Sequence, residues 1–259
     1  MGILNTTADS FSGDGIYQNV NLSISKGIDM LSNGADVLDI GGESSKPPSI
    51  YGHVDKVSVN EEIQRIVPVI RALSLESEAI ISVDTYKAKV AKAAISAGAT
   101  MVNDIWGLRR DPEMVKLVAD TGVYVVIMHN AGSVQYKDIV KDTVEFLKNR
   151  VDFAISRGID KNKIIVDPGI GFIKGSEQNL QILNRLDEYK TIGVPVMVGT
   201  SRKSTIGEIL ELPVDDRIEG TAATVSVAIT RGADMVRVHD VQEMHRIAKM
   251  TDAIVRGGA

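Results

Sequence analysis

Along this chain, short apolar runs alternate with longer stretches in which apolar positions recur every three or four residues. The runs are Gly2–Leu4, Val37–Ile40, Ile80–Val83, Met101–Val102, Tyr124–Met128, Ile164–Val166, Val196–Val198 and Met235–Val238. Their Val, Ile and Met content is that of strands buried on both faces, as in parallel sheets. Helical spacing fills the intervals near Asn19–Asn33, Asn60–Leu73, Lys87–Ala97, Glu113–Thr121, Ile139–Arg157, Glu177–Arg185, Arg217–Arg231 and Val241–Val255. Strand and helix thus alternate through eight units, the number that closes a (β/α)8 TIM barrel. Alternation alone also allows a doubly wound open sheet. Gly34-Ala-Asp, Gly98-Ala-Thr and Gly232-Ala-Asp each stand where a helix gives way to a strand, a place where glycine ends helices. No Pro- or Ser-rich linker and no block of charge divides the chain, which predicts one domain over residues 1–259. Met1-Gly-Ile-Leu already reads as strand, so either the barrel closes from the first residue or a segment precedes it.

Composition narrows the function classes. With 44% hydrophobic and 24% charged residues, the chain can bury a sizeable core. A formal net charge of −5 disfavours nucleic-acid and anionic-membrane partners, which call for a basic face. It does not disfavour a small anion, because a few convergent cations reverse the potential locally. Cysteine is absent, which excludes disulfides and cysteine-held metals and is compatible with a reducing compartment. No apolar stretch has the length of a membrane span.

Position says more than composition. The apolar runs end in polar residues: Asn5, Asp39, Asp84, Asn103-Asp104, His129, Asp167, and Arg237 with His239. In a barrel these ends share one rim, the rim that carries active sites. Any one of them alone is as well explained as a turn residue. Three glycine-rich segments follow strands and let backbone amides approach an anion: Gly41-Gly-Glu-Ser-Ser-Lys-Pro, Asp167-Pro-Gly-Ile-Gly-Phe and Gly199-Thr-Ser-Arg-Lys-Ser. The last of them opens a short helix. The spacing of Gly41–Pro47 is not that of a Walker loop.

Together with Gly2–Ser12, Ser82-Val-Asp-Thr-Tyr, Asn103-Asp-Ile and Arg237-Val-His-Asp, these segments resemble dihydropteroate synthase over nearly the full length. The resemblance implies a TIM barrel that condenses 6-hydroxymethyl-7,8-dihydropterin pyrophosphate with p-aminobenzoate, giving 7,8-dihydropteroate and pyrophosphate in folate biosynthesis. It implies Mg2+ assistance, a cytoplasmic location and a homodimer. Carried over by position, Asp84, Asn103, Met128, Asp167 and Lys203 match the pterin pocket. Asn5, Arg237 and His239 match the groups around magnesium and pyrophosphate, with Asn5 at the metal. Ser45 stands at the substrate, and Phe172 with Ser204 at the p-aminobenzoate side. Arg237, His239, Lys203 and Asp84 are the expected catalytic groups. The residue types fit such chemistry. A pterin edge carries adjacent N–H donors that carboxylates accept, an Arg fork meets phosphate oxygens, and Mg2+ takes oxygen ligands. Aniline is a weak nucleophile, which favours departure of pyrophosphate before attack.

His129 is expected to order its own loop, while His53 and His245 look like exposed positions. The sequence departs from the family pattern at Thr7-Ala-Asp9, at Ser12-Gly-Asp-Gly and in a longer second loop with Lys46 and Pro48. Thr205 stands where a bulky aromatic is common. The loops Asn5–Gly15 and Gly41–Lys56 carry little apolar surface and are expected to fold over the rim once the pterin binds. Two other readings compete: a pterin-dependent corrinoid methyltransferase, and a catalytically idle pterin-binding paralogue. Ser201-Arg-Lys-Ser and Arg237-Val-His disfavour the first, since methyl transfer releases no pyrophosphate.

Overall fold

The computed structural model describes residues 1–6, 16–43, 57–130, 135–172 and 174–257. Among the described residues there are eight strands: β1 (Gly2–Asn5), β2 (Val37–Gly41), β3 (Ile80–Asp84), β4 (Met101–Asp104), β5 (Tyr124–Met128), β6 (Ile164–Asp167), β7 (Met197–Val198) and β8 (Met235–Val236). The helices are α1 (Ile16–Ser32), α2 (Val59–Glu76), α3 (Ala88–Ser96), α4 (Glu113–Thr121), α5 (Ile139–Ser156), α6 (Ser176–Asn184), α7 (Ser204–Leu210), α8 (Ile218–Thr230) and α9 (Val241–Asp252).

β1 to β6 form one parallel sheet in chain order, and β7 pairs with β8. Two seams join these pieces into a ring. Val166 bridges Val196, and Gly2 bridges Val238, with the Ile3 amide donating to the Val238 carbonyl at 2.9 Å and the Val238 amide to the Met1 carbonyl at 3.0 Å. The sheet therefore closes on itself as a TIM barrel, and the open-sheet alternative is set aside.

Side chains of a strand alternate between the barrel interior and the helix layer. The outward set includes Leu4, Leu38, Ile40, Ile81, Val83, Val102, Val125, Ile127, Val166 and Val198, all packed into the main core with the helices. The inward set divides by height. Met1, Val37, Met101, Val126, Ile165 and Met197 form an apolar plug at the amino end of the strands. One inward step higher come Asp39, Asn103, Asp167 and Arg237, so the interior turns polar toward the carboxyl ends. That switch of chemistry along a single face defines where a ligand can sit. At the opposite rim, Gly34, Gly98 and Gly232 hold φ of 98°, 118° and 96°, so each helix ends in a conformation that residues with a Cβ rarely adopt.

Candidate active site

Register fixes the first row of the site. Asn5 lies beside Gly41, Gly41 beside Asp84, and Asp84 beside Asn103, across four successive strands. Met128 lies beside Asp167 on the next pair. These are consequences of strand pairing and need no loop to hold them.

Beneath that row is a charged layer whose centre is Asp39. Its side chain is fully buried and accepts from Ser82 Oγ at 2.6 Å, Asn103 Nδ2 at 2.9 Å and Arg237 Nε at 2.6 Å. Arg237 also donates through Nη2 to Asp84 at 2.8 Å. Burial pulls the Arg237 pKa down, but Asp39 and Asp84 outweigh it and the net direction is up. Asp84 is moved upward by its own burial, with Arg237 opposing. Asp167 is likewise raised by burial, against the amide of Gly169, which donates to its Oδ1 at 2.7 Å. A buried carboxylate short of donors is poised to accept N–H groups from a ligand.

The cations of the mouth lie around these acids. Lys203 is half-buried, with its ammonium 4.5 Å from the centre of the Phe172 ring. Burial lowers its pKa to about 8, with Asp167 opposing and Arg237 adding. His239 stands at the outer edge, where withdrawn water and then Arg237 and Arg202 bring its pKa down to about 4. Its ring is therefore neutral at pH 7. Ser201 Oγ accepts the His239 amide at 3.1 Å and lies 2.9 Å from Nδ1. Arg202, at φ 55°, ties this loop to the next strand end through Asp240, with bonds of 3.0 and 2.5 Å.

Asp84, Asn103, Met128, Asp167, Phe172, Lys203, Ser204, Arg237 and His239 thus all lie at the carboxyl end of the barrel, on strand ends or the loops that follow them. Asn5 joins them at the exposed end of β1. Ser45 and Lys46, most of both expected covering loops and His53 lie outside the described residues. His245 is exposed, as expected. The His129 side chain is buried edge-on against Phe146, ring centres 4.7 Å apart, and packs at 5.9 Å against the ring of Tyr136 in the segment that follows β5. Its backbone carbonyl lies 3.5 Å from Lys174 Nζ in the loop after β6.

Sequence reading gave no role to two residues: Asp39, noted only among the polar strand ends, and Lys174. Asp39 lies inside a strand rather than at its end, and its partner Arg237 is 198 positions away. Lys174 is buried and donates to the carbonyls of Gly169 at 2.8 Å and Phe172 at 3.2 Å, inside the loop after β6. Burial lowers its pKa to about 7, with Asp167 opposing. Asp104, by contrast, points into the helix layer and caps the amides of Trp106 and Leu108 at 2.8 and 2.9 Å, which is a turn role.

A closed barrel with buried carboxylates and cations converging at its mouth is the architecture of an enzyme for a small, polar, anionic substrate. The family model for "Pterin binding enzyme" matches residues 1–239. Dihydropteroate synthase from Clostridium beijerinckii is 48% identical over 257 residues, covering 99% of this chain and 94% of that protein. Among solved structures, a Clostridium difficile dihydropteroate synthase crystallised in the presence of pteroic acid aligns with a TM-score of 0.94 and 47% identity, covering 99% of this chain and 96% of that one. A Xanthomonas albilineans dihydropteroate synthase with 4-aminobenzoic acid aligns at 0.92 and 40%, covering 98% and 92%. The chain belongs to the dihydropteroate synthase family of pterin-binding transferases.

Proposed function

We propose that this chain condenses 6-hydroxymethyl-7,8-dihydropterin pyrophosphate with p-aminobenzoate at the barrel mouth, with the pterin seated deepest. The observation that carries this reading is the pair of buried carboxylates, Asp84 and Asp167, at the carboxyl ends of strands where they stand in register with Asn103 and Met128. They accept the adjacent N–H donors of the pterin edge, while Lys203 meets its carbonyl side. Two groups of Arg237 are occupied by Asp39 and Asp84, so its Nη1 edge is the part that reaches the pyrophosphate. His239 donates beside it.

Among the described residues, no group of three His, Cys, Asp or Glu could surround a metal ion. Asn5 supplies one exposed neutral oxygen, which fits Mg2+, an ion that keeps its waters and travels on phosphates. When bound there, Mg2+ would offset charge on the leaving phosphates. In the reaction itself, the bond from the exocyclic carbon to the phosphate oxygen breaks with its electron pair going to pyrophosphate. The aniline nitrogen then forms the new C–N bond, and the anilinium releases a proton to water. Arg237, His239 and Lys203 stabilise charge and hold position; no general base is required. Phe172 and Ser204 border the p-aminobenzoate, with its carboxylate toward the first turn of α7.

No described helix is long and apolar enough to cross a membrane. A cytoplasmic enzyme with one domain over the chain is consistent with that, and exposed Leu180, Ile209, Leu210 and Val227 offer apolar surface for a homodimer. The pterin assignment is tested by titration calorimetry of pterin pyrophosphate against Asp84→Asn and Asp167→Asn. Losing a charge-assisted acceptor contributing about 1.5–3 kcal/mol should weaken binding roughly ten- to hundred-fold. Unchanged affinity in both variants refutes it.

A further inference from the structure

Two loops meet on the side of the mouth bordered by Phe172 and Ser204, and neither is held by the strand ladder. The loop after β6 carries Phe172 through a turn closed by the Phe172 amide on the Gly169 carbonyl at 3.1 Å. The loop after β7 carries Lys203 and Ser204 into α7. The Lys203 ammonium lies over the Phe172 ring, so the separation of the two loops sets the shape of that half of the site.

One buried side chain joins them. Asn179 projects from α6 and is 1% exposed. Its Oδ1 accepts the Gly171 amide at 3.0 Å, immediately before Phe172. Its Nδ2 donates to the Lys174 carbonyl at 3.2 Å and to Thr205 Oγ1 at 2.9 Å, immediately after Ser204. Thr205 is itself 5% exposed, and Ser176 Oγ stands 3.3 Å from its hydroxyl while donating to Glu208. An amide that uses its acceptor on one loop and shares its donors between both fixes their spacing. A buried amide that loses one of these partners is left with an unmet donor.

We infer that Asn179 and Thr205 are a positioning pair that sets the spacing of the Phe172 and Ser204 loops, and through it the fit of p-aminobenzoate. The inference rests on the functional reading above. Neither side chain is required to touch substrate. Asp84 and Asp167 stand on strands whose register does not depend on this link, and the Lys203 backbone is held separately, its amide on the Thr200 carbonyl at 3.2 Å and its carbonyl by Arg217 at 3.3 Å, so the pterin contacts are insulated from it.

The test is Thr205→Val, which keeps shape and deletes the hydroxyl, with Thr205→Ala as a second variant free of β-branching and Thr205→Ser as the rescue. Steady-state kinetics with both substrates is read beside calorimetry of pterin pyrophosphate. In Thr205→Val and Thr205→Ala the p-aminobenzoate KM should rise about tenfold, the value of one hydrogen bond. Pterin pyrophosphate affinity should stay within about twofold of the parent by the same argument from register, and Thr205→Ser should return the KM close to the parent value. Equal weakening of both substrates, or a KM unchanged in both variants, overturns the inference. A parent protein that releases no pyrophosphate overturns the functional reading and this inference with it. An active parent with parent-like variants overturns the inference alone.

Discussion

Asp39 shows what a single buried charge does here. It neutralises Arg237, orients Asn103 and holds Ser82, all from within a strand. Asp39→Asn would leave Arg237 with one full counter-charge in place of two, in a site nearly closed to water. Breaking a buried ion pair typically costs about 3–5 kcal/mol, so urea denaturation should show a loss on that order. Turnover should fall about a hundredfold, because a guanidinium that has moved no longer presents its Nη1 edge. A variant with parent stability and parent turnover would remove Asp39 from the account. The sequence placed Asp84, Asp167, Lys203 and His239 because each follows an apolar run or lies in a recognisable motif. It gave no role to Asp39, since a mid-strand aspartate is distinguished only by what closure brings against it.

At the scale of elements, strand positions were legible because inward and outward faces are both apolar near the amino ends. Their final residues were not, because the inward positions turn polar there and resemble the start of a loop. Asn5, Asp84, Asn103-Asp104 and Asp167 belong to the strands for that reason. β7 and β8 are shorter than the apolar runs suggest, since Val196 and Val238 are used in the seams. The helix-ending glycines give a direct test. Gly98→Ala places a Cβ at φ 118° against Ser74 and should lower stability by about 1–3 kcal/mol in a urea melt. A parent-like midpoint would show that the turn is not strained.

His129, at the end of β5, gives a pH signature. Burial first, then Lys174 and Arg109, bring its pKa down to about 3 from an ordinary value of 6.5. The unfolded chain therefore binds a proton that the fold refuses. Its contribution is fully present above pH 6.5 and is lost as pH falls toward 3, by up to about 1.4 kcal/mol per pH unit. Melts of His129→Asn between pH 6.5 and 4 should be flatter with pH than those of the parent, and parallel slopes would contradict the burial argument.

For the whole molecule, eight alternating units foretold the barrel, but closure rests on two seams that no local pattern encodes. Closure brings the ends of β1 and β8 together and so places Asn5 on the same rim as Arg237 and His239. The central claim, that this rim joins a pterin to an aniline with loss of pyrophosphate, has a direct measurement. Pyrophosphate release is followed from 6-hydroxymethyl-7,8-dihydropterin pyrophosphate with Mg2+, with and without p-aminobenzoate, while the pteroate product is quantified in parallel. The account predicts sustained release only with both substrates, one product formed per pyrophosphate, and loss of most of the rate in Asp167→Asn. Pterin binding without release, or release with no C–N product, would contradict it.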